Sequence, residues 1–180
     1  MRIVAGTWRG RTLKSPGWEG LRPTSDRLRE TLFNILGPSI RGARVLDGYA
    51  GTGAIGLEAM SRGAAKVTFV ESDVRAVKLI EVNFAALDGS GTAKPVIIRA
   101  GFADAATRLD GESFDLIILD PPYAHDAVDM ALDAAGVLAG PATRLVIEHA
   151  ARYPPPQARG GLRLTRTVTA GDSALSFYER

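Results

Sequence analysis

Between Ala43 and Glu148 the chain repeats one pattern: a short, nearly continuous apolar run, a turn, then a longer amphipathic stretch. Such runs suit strands covered on both faces, and their alternation with helices is the pattern of a parallel sheet joined by right-handed crossovers. The predicted strands are Arg44–Asp47, Lys66–Glu71, Pro95–Arg99, Phe114–Asp120 and Arg144–Glu148; the predicted helices are Gly53–Arg62, Val74–Leu87, Phe102–Leu109 and Ala127–Leu138. Leu162–Thr169 and Ala174–Glu179, separated by a turn at Gly171-Asp172, read as two last strands that close the sheet as an antiparallel pair. Ahead of this region, Arg2 to Lys14 is broken by Gly6 and Gly10 and suits a small hairpin. Leu21-Arg22-Pro23-Thr24 reads as an extended loop, and Ser25 or Asp26 caps a helix that runs to about Leu36 and stops at Gly37-Pro38. The expected fold class is therefore α/β and Rossmann-like: a mostly parallel seven-stranded sheet with a C-terminal antiparallel strand, preceded by a β-hairpin and a helix.

The 180 residues fit a single domain over 1–180, with residues 1–40 a basic extension and residues 41–180 the core. The absence of cysteine excludes a disulfide framework and thiolate metal ligation, and with only His125 and His149 no metal site is expected. No apolar stretch reaches the ~20 residues of a membrane span, so a cytoplasmic protein without a membrane partner is expected. The net charge of +2 hides an asymmetry: residues 1–44 hold nine Lys or Arg against three Asp or Glu, the remainder thirteen against seventeen. A second basic stretch carries Arg152, Arg159, Arg163 and Arg166. Two basic flanks around an acidic middle suit a polyanion held beside a neutral or acidic pocket, although solvated surface charge gives the same pattern.

The first strand of the alternating region runs into Asp47-Gly48-Tyr49-Ala50-Gly51-Thr52-Gly53-Ala54-Ile55-Gly56. Glycines between a strand and a helix let the backbone turn sharply and approach a ligand closely. Gly51, Gly53 and Gly56 spell G-x-G-x-x-G, and Glu71 ends the next strand where a carboxylate meets ribose hydroxyls. This also matches a dinucleotide site, so an NAD(P)-dependent oxidoreductase is one reading. Asp47 favours another. Beside the loop it would repel a pyrophosphate, whereas S-adenosylmethionine carries an ammonium and a sulfonium and no phosphate. The expected cofactor set is Asp47, Tyr49, Ala50, Gly51, Gly53, Glu71 and Asp120, with Ser72 along the adenosine and Gly101 and Phe102 flanking the adenine; Phe102 reads equally well as core.

The fourth strand leads into Asp120-Pro121-Pro122-Tyr123. Carboxyl ends of strands face the ligand crevice in doubly wound sheets. Prolines fix φ and remove N–H donors but keep their carbonyls. An amino group on a base needs acceptors around it: Asp120 and the Pro121 carbonyl can each take one N–H, and the Tyr123 ring can stack on the base. Asp120, Pro121, Pro122 and Tyr123 are the catalytic candidates. His125 reads as a loop residue and His149 as structural.

At these residues the chain resembles the bacterial 16S rRNA guanine-N2 methyltransferases. The resemblance runs through Gly6-Thr7-Trp8-Arg9-Gly10-Arg11, the segment from Leu21 to Asn34, Leu46-Asp47, Ala50 to Ala59, Asp120-Pro121-Pro122-Tyr123 and, more weakly, Ala170-Gly171-Asp172 and Phe177 to Arg180. It implies a class I methyltransferase sheet, S-adenosylmethionine as donor, and 16S rRNA as substrate within the 30S subunit or an assembly intermediate; nothing demands more than a monomer. Gly48 and Gly101 depart from the family pattern. Arg9, Arg11, Lys14, Arg22, Arg27 and Arg29 are the expected RNA-phosphate contacts; the competing role for Arg22 to Arg29 is packing against the sheet edge, with Arg22 or Thr24 reaching the active site. A DNA adenine amino methyltransferase and a non-catalytic RNA-binding module are the other readings.

Overall fold

Val45, Leu46, Ile117, Ile118, Leu145, Val146 and Ile147 are all buried on strands with helices on both sides, so neither face of this part of the sheet can be polar. The computed structural model describes residues 1–18, 26–88, 95–122 and 126–180. In chain order its elements are α1 (Asp26–Leu36), a 3-10 turn (Gly37–Ile40), β1 (Arg44–Asp47), α2 (Ala54–Ser61), β2 (Lys66–Glu71), α3 (Val74–Leu87), β3 (Val96–Arg99), α4 (Phe102–Arg108), β4 (Leu116–Leu119), α5 (Ala127–Leu138), β5 (Arg144–Ala150), β6 (Ala158–Arg159), β7 (Leu162–Ala170) and β8 (Ser173–Glu179). They form one eight-stranded sheet in the order β3-β2-β1-β4-β5-β8-β7-β6. The first five strands run parallel, and β8, β7 and β6 complete the sheet in antiparallel fashion.

The sheet has one strand more than expected. Arg159 carries β6, whose two residues pair with Leu162 and Arg163, and its guanidinium binds Asp129 and Asp133 of α5. A two-residue strand has no periodicity to read, and a long-range ion pair holds it. The α1 helix stops at Leu36 as expected, but Gly37-Pro38 continues as a 3-10 turn. The N-terminal hairpin is smaller than a two-strand ladder: one bridge, Arg2 to Thr12, with flanking backbone bonds from Ile3 N to Arg11 O and Gly10 N to Ile3 O.

This segment is anchored as core. Ile3, Trp8 and Leu13 are buried with α1, α2 and α3 on one face of the sheet, and the Trp8 ring stands edge-on to Phe84. The Thr7 N–H donates to the Ser61 carbonyl at 2.8 Å and the Trp8 N–H to Ser61 Oγ at 3.0 Å. Gly6 makes this approach possible: a Cβ there would lie 1.8 Å from the Ser61 carbonyl oxygen. Glu58, the one charged residue of α2 and buried there, receives the Val4 and Ala5 N–H groups at 2.7 and 2.9 Å and the Arg62 Nε–H at 2.7 Å.

Candidate active site

The strand order reverses direction between β1 and β4, and ligands in open α/β sheets bind at that switch point, outside the carboxyl ends of the strands. Asp47 closes β1 and Asp120 follows β4 directly. Asp47 stands opposite Ile118 in the ladder, and the Gly48 N–H donates to the Ile118 carbonyl at 2.8 Å. The glycine loop is therefore stitched to the strand that delivers Asp120.

The same loop is held from three other directions. The Ala50 N–H donates to the Val70 carbonyl, and the Gly51 N–H donates to Glu71 Oε2 at 2.8 Å. Glu71 Oε1 takes the Asp73 N–H at 2.8 Å and leaves lone pairs for further donors. Asn83, on the buried stripe of α3, donates to the Thr52 carbonyl at 3.1 Å and exchanges hydrogen bonds with the Lys14 backbone. One amide thus couples the N-terminal segment to the loop. A Cβ at Gly56 would lie 2.3 Å from the Phe69 ring, so that glycine sets how closely α2 packs on β2.

Asp47 is 2% exposed, and its Oδ2 accepts the Gly56 N–H at 2.9 Å. Burial pushes its carboxyl up to about 7; the Gly56 hydrogen bond opposes the rise and the nearby Glu71 charge adds to it. The Gly56 N–H near the start of α2 is thus already taken by a carboxylate, which argues against a pyrophosphate there. It suits a cation, which would favour the ionised form of Asp47.

Tyr49 is half-buried, its ring 5.3 Å from that of Phe102, and burial raises its hydroxyl pKa. The Phe102 side chain belongs to the second core with Leu119, so it supports Tyr49 from below and its ring is not a free face for adenine. Gly48 leaves no room for a side chain: a Cβ there would lie 2.3 Å from Leu119 and 2.8 Å from Phe102. Gly101 precedes α4 in open space and Ser72 is exposed beside Glu71. Asp120 is half-buried, Pro121 buried and Pro122 exposed; Tyr123, like His125, lies outside the described residues. His149 is buried against Ser176 Oγ at 2.8 Å, as expected of a structural residue.

The predicted RNA contacts divide. Arg9, Lys14 and Arg27 are exposed, and Arg22 lies outside the described residues. Arg29 is a correction: it is 0% exposed, donates to the Arg2 carbonyl and Asp26, and sits 3.9 Å from Glu58, so it cannot reach a phosphate. Arg11 donates to the Ala86 and Leu87 carbonyls at the end of α3, a capping role for which its charge is well placed. Sequence reasoning missed Glu58 and Asn83. Each leaves a trace: Glu58 is the lone charge in an apolar helix, and Asn83 interrupts the apolar stripe of α3.

A family model described as conserved hypothetical protein 95 matches residues 1–179. The chain is 38% identical to ribosomal RNA small subunit methyltransferase D of Escherichia coli, covering 100% of this chain and 90% of that protein. It is 42% identical to the protein of the same name from Haemophilus influenzae over 73% of this chain and 68% of that protein. A solved Escherichia coli structure superposes with a TM-score of 0.85 at 32% identity, covering 100% of this chain and 97% of the other. Shared sequence over the whole length and a shared fold lead to one conclusion: the chain belongs to the small-subunit ribosomal RNA methyltransferase D family.

Proposed function

We propose that the chain transfers a methyl group from S-adenosylmethionine to the exocyclic N2 of a guanine in 16S rRNA, as a monomer acting on the 30S subunit or an assembly intermediate. The observation that carries this reading is the placement of Asp47, Glu71 and Asp120 at the carboxyl ends of β1, β2 and β4 around one glycine loop, with Asp120 followed by two prolines. The named activity of the relatives supports it.

When bound, S-adenosylmethionine supplies an electrophilic methyl group on a sulfonium. The remaining work belongs to the protein. Asp47 offers a buried anion to a cationic group, and Glu71 offers its spare lone pairs to ribose hydroxyls. Asp120 and the Pro121 carbonyl accept the two N–H bonds of the target amine and so aim its lone pair; Tyr123 offers a stacking face. Much of the rate enhancement then comes from holding the amine in line. Asp120 takes the proton that the nitrogen sheds after alkylation. Arg9, Lys14 and Arg27 present exposed positive charge for phosphates.

The test is transfer of labelled methyl from S-adenosylmethionine to 30S subunits lacking the modification, with naked rRNA and DNA in parallel. Label recovered as N2-methylguanosine at one rRNA position is expected. Label in DNA alone overturns the substrate, and label in none of the acceptors overturns the activity.

A further inference from the structure

The crevice holds a fourth carboxylate that the mechanism above does not use. Parallel pairing of β4 with β5 ends at Leu119 opposite Ile147, so the next residues along lie side by side, Asp120 directly after β4 and Glu148 near the carboxyl end of β5, which runs on to Ala150. Strand neighbours are about 4.8 Å apart. The side-chain alternation places them on one face. Val45, Phe69, Ile118 and Val146 all point into the core shared with α1 and α2, and the residues two further on are Asp47, Glu71, Asp120 and Glu148. Across the sheet these carboxylates follow the order Glu71, Asp47, Asp120, Glu148. The first two serve the cofactor side and the third the amine, so the fourth falls on the substrate side.

Glu148 is 6% exposed, a burial that a carboxylate rarely adopts unless its charge is met by a partner. The chemistry of that neighbourhood is specific. The Watson–Crick edge of guanine presents two adjacent kinds of donor, N2–H and N1–H. Adenine has no 2-amino group, and its N1 is an acceptor. An anion beside the one that holds N2 matches guanine and repels a base with a lone pair at N1.

We propose that Glu148 is a specificity-determining residue: its carboxylate accepts the N1–H of the target guanine while Asp120 accepts an N2–H. This rests on the guanine-N2 reading given above. The discriminating probe is 2-aminopurine, which keeps the 2-amino group, lacks the 6-oxo group and carries a lone pair at N1 in place of N1–H. Reconstituted 30S subunits carrying guanine or 2-aminopurine at the modified position are assayed with wild-type enzyme and with Glu148→Gln. Wild type should favour guanine in kcat/KM by about 10- to 100-fold, the worth of one charge-assisted hydrogen bond. In Glu148→Gln the ratio should fall to within about threefold of unity, because the amide can donate to the N1 of 2-aminopurine as well as accept from guanine. A merely structural role would lower both rates together and leave the ratio at its wild-type value, which overturns the proposal. Should the variant not fold, the wild-type ratio decides: a value near one overturns the proposal without any substitution. Wild-type enzyme that yields no N2-methylguanosine on guanine-bearing subunits removes the underlying reading instead, an outcome distinct from a correct product made without discrimination.

Discussion

Replacing Glu58 by Gln keeps the shape of the side chain and removes its charge. In the structure two oxygens meet three donors: Oε2 takes the Val4 N–H, and Oε1 takes the Ala5 N–H and the Arg62 Nε–H. A glutamine amide has one oxygen and one NH2, so one of these positions becomes a donor facing a donor. The cheaper orientation gives up the single bond to Val4, at about 1–3 kcal/mol for a buried N–H left unsatisfied. It also removes the buried negative charge 3.9 Å from Arg29, which is itself fully buried. Removing one partner of a buried ion pair costs about 3–5 kcal/mol; Asp26, itself half-exposed, keeps part of the compensation. The two effects overlap, and we expect a total loss of about 3–5 kcal/mol, a large share of the ~5–15 kcal/mol by which a domain is stable. Urea unfolding followed by circular dichroism measures it. Adding Arg29→Met to Glu58→Gln should recover at least ~1 kcal/mol, since no buried charge is then left alone. A single-variant loss below about 1 kcal/mol, or a double variant that simply adds the two costs, would refute the claim that this cluster anchors the N-terminal segment.

Asp47 makes stability pH-dependent. Its carboxyl, raised by burial to about 7, keeps its proton in the folded state over a window where the unfolded chain has lost it. Stability of the ligand-free protein should therefore fall as pH rises from about 4 to 7, by up to ~1.4 kcal/mol per pH unit, and level off above. Asp47→Asn should remove that slope; parallel pH profiles for the two proteins would count against the assignment. Arg11→Ala should lower the melting temperature, from the lost cap on α3, and leave the salt dependence of 30S binding unchanged. Arg9→Ala should keep the melting temperature and reduce the salt slope by about one ion. The same response from both variants would contradict the division between them. Asp120→Ala should abolish methyl transfer while calorimetry still detects S-adenosylmethionine binding, and a variant that turns over normally would remove Asp120 from its role.

Much of the fold was legible because it is written in local signals. The bounds of β1, β2, α3 and α5 agree with the periodicity of Arg44–Asp47, Lys66–Glu71, Val74–Leu87 and Ala127–Leu138. Parallel pairing of the first five strands followed from their alternation with helices, and the glycine loop from its spacing. Charge was the poorer guide. Arg9, Arg11 and Arg29 read alike as basic residues in one segment, yet one is exposed, one caps a helix 75 residues away and one is buried beside Glu58. A guanidinium can end in water, on carbonyls or on a carboxylate, and which of these it meets depends on chain that is remote in sequence. The same holds for the neighbourhood of Asp120 and Glu148. The sequence alone determined that strands would alternate with helices and that a carboxylate would end each of several strands. Only tertiary pairing decided which carboxylates became neighbours, because strand order and register are set by packing between distant segments.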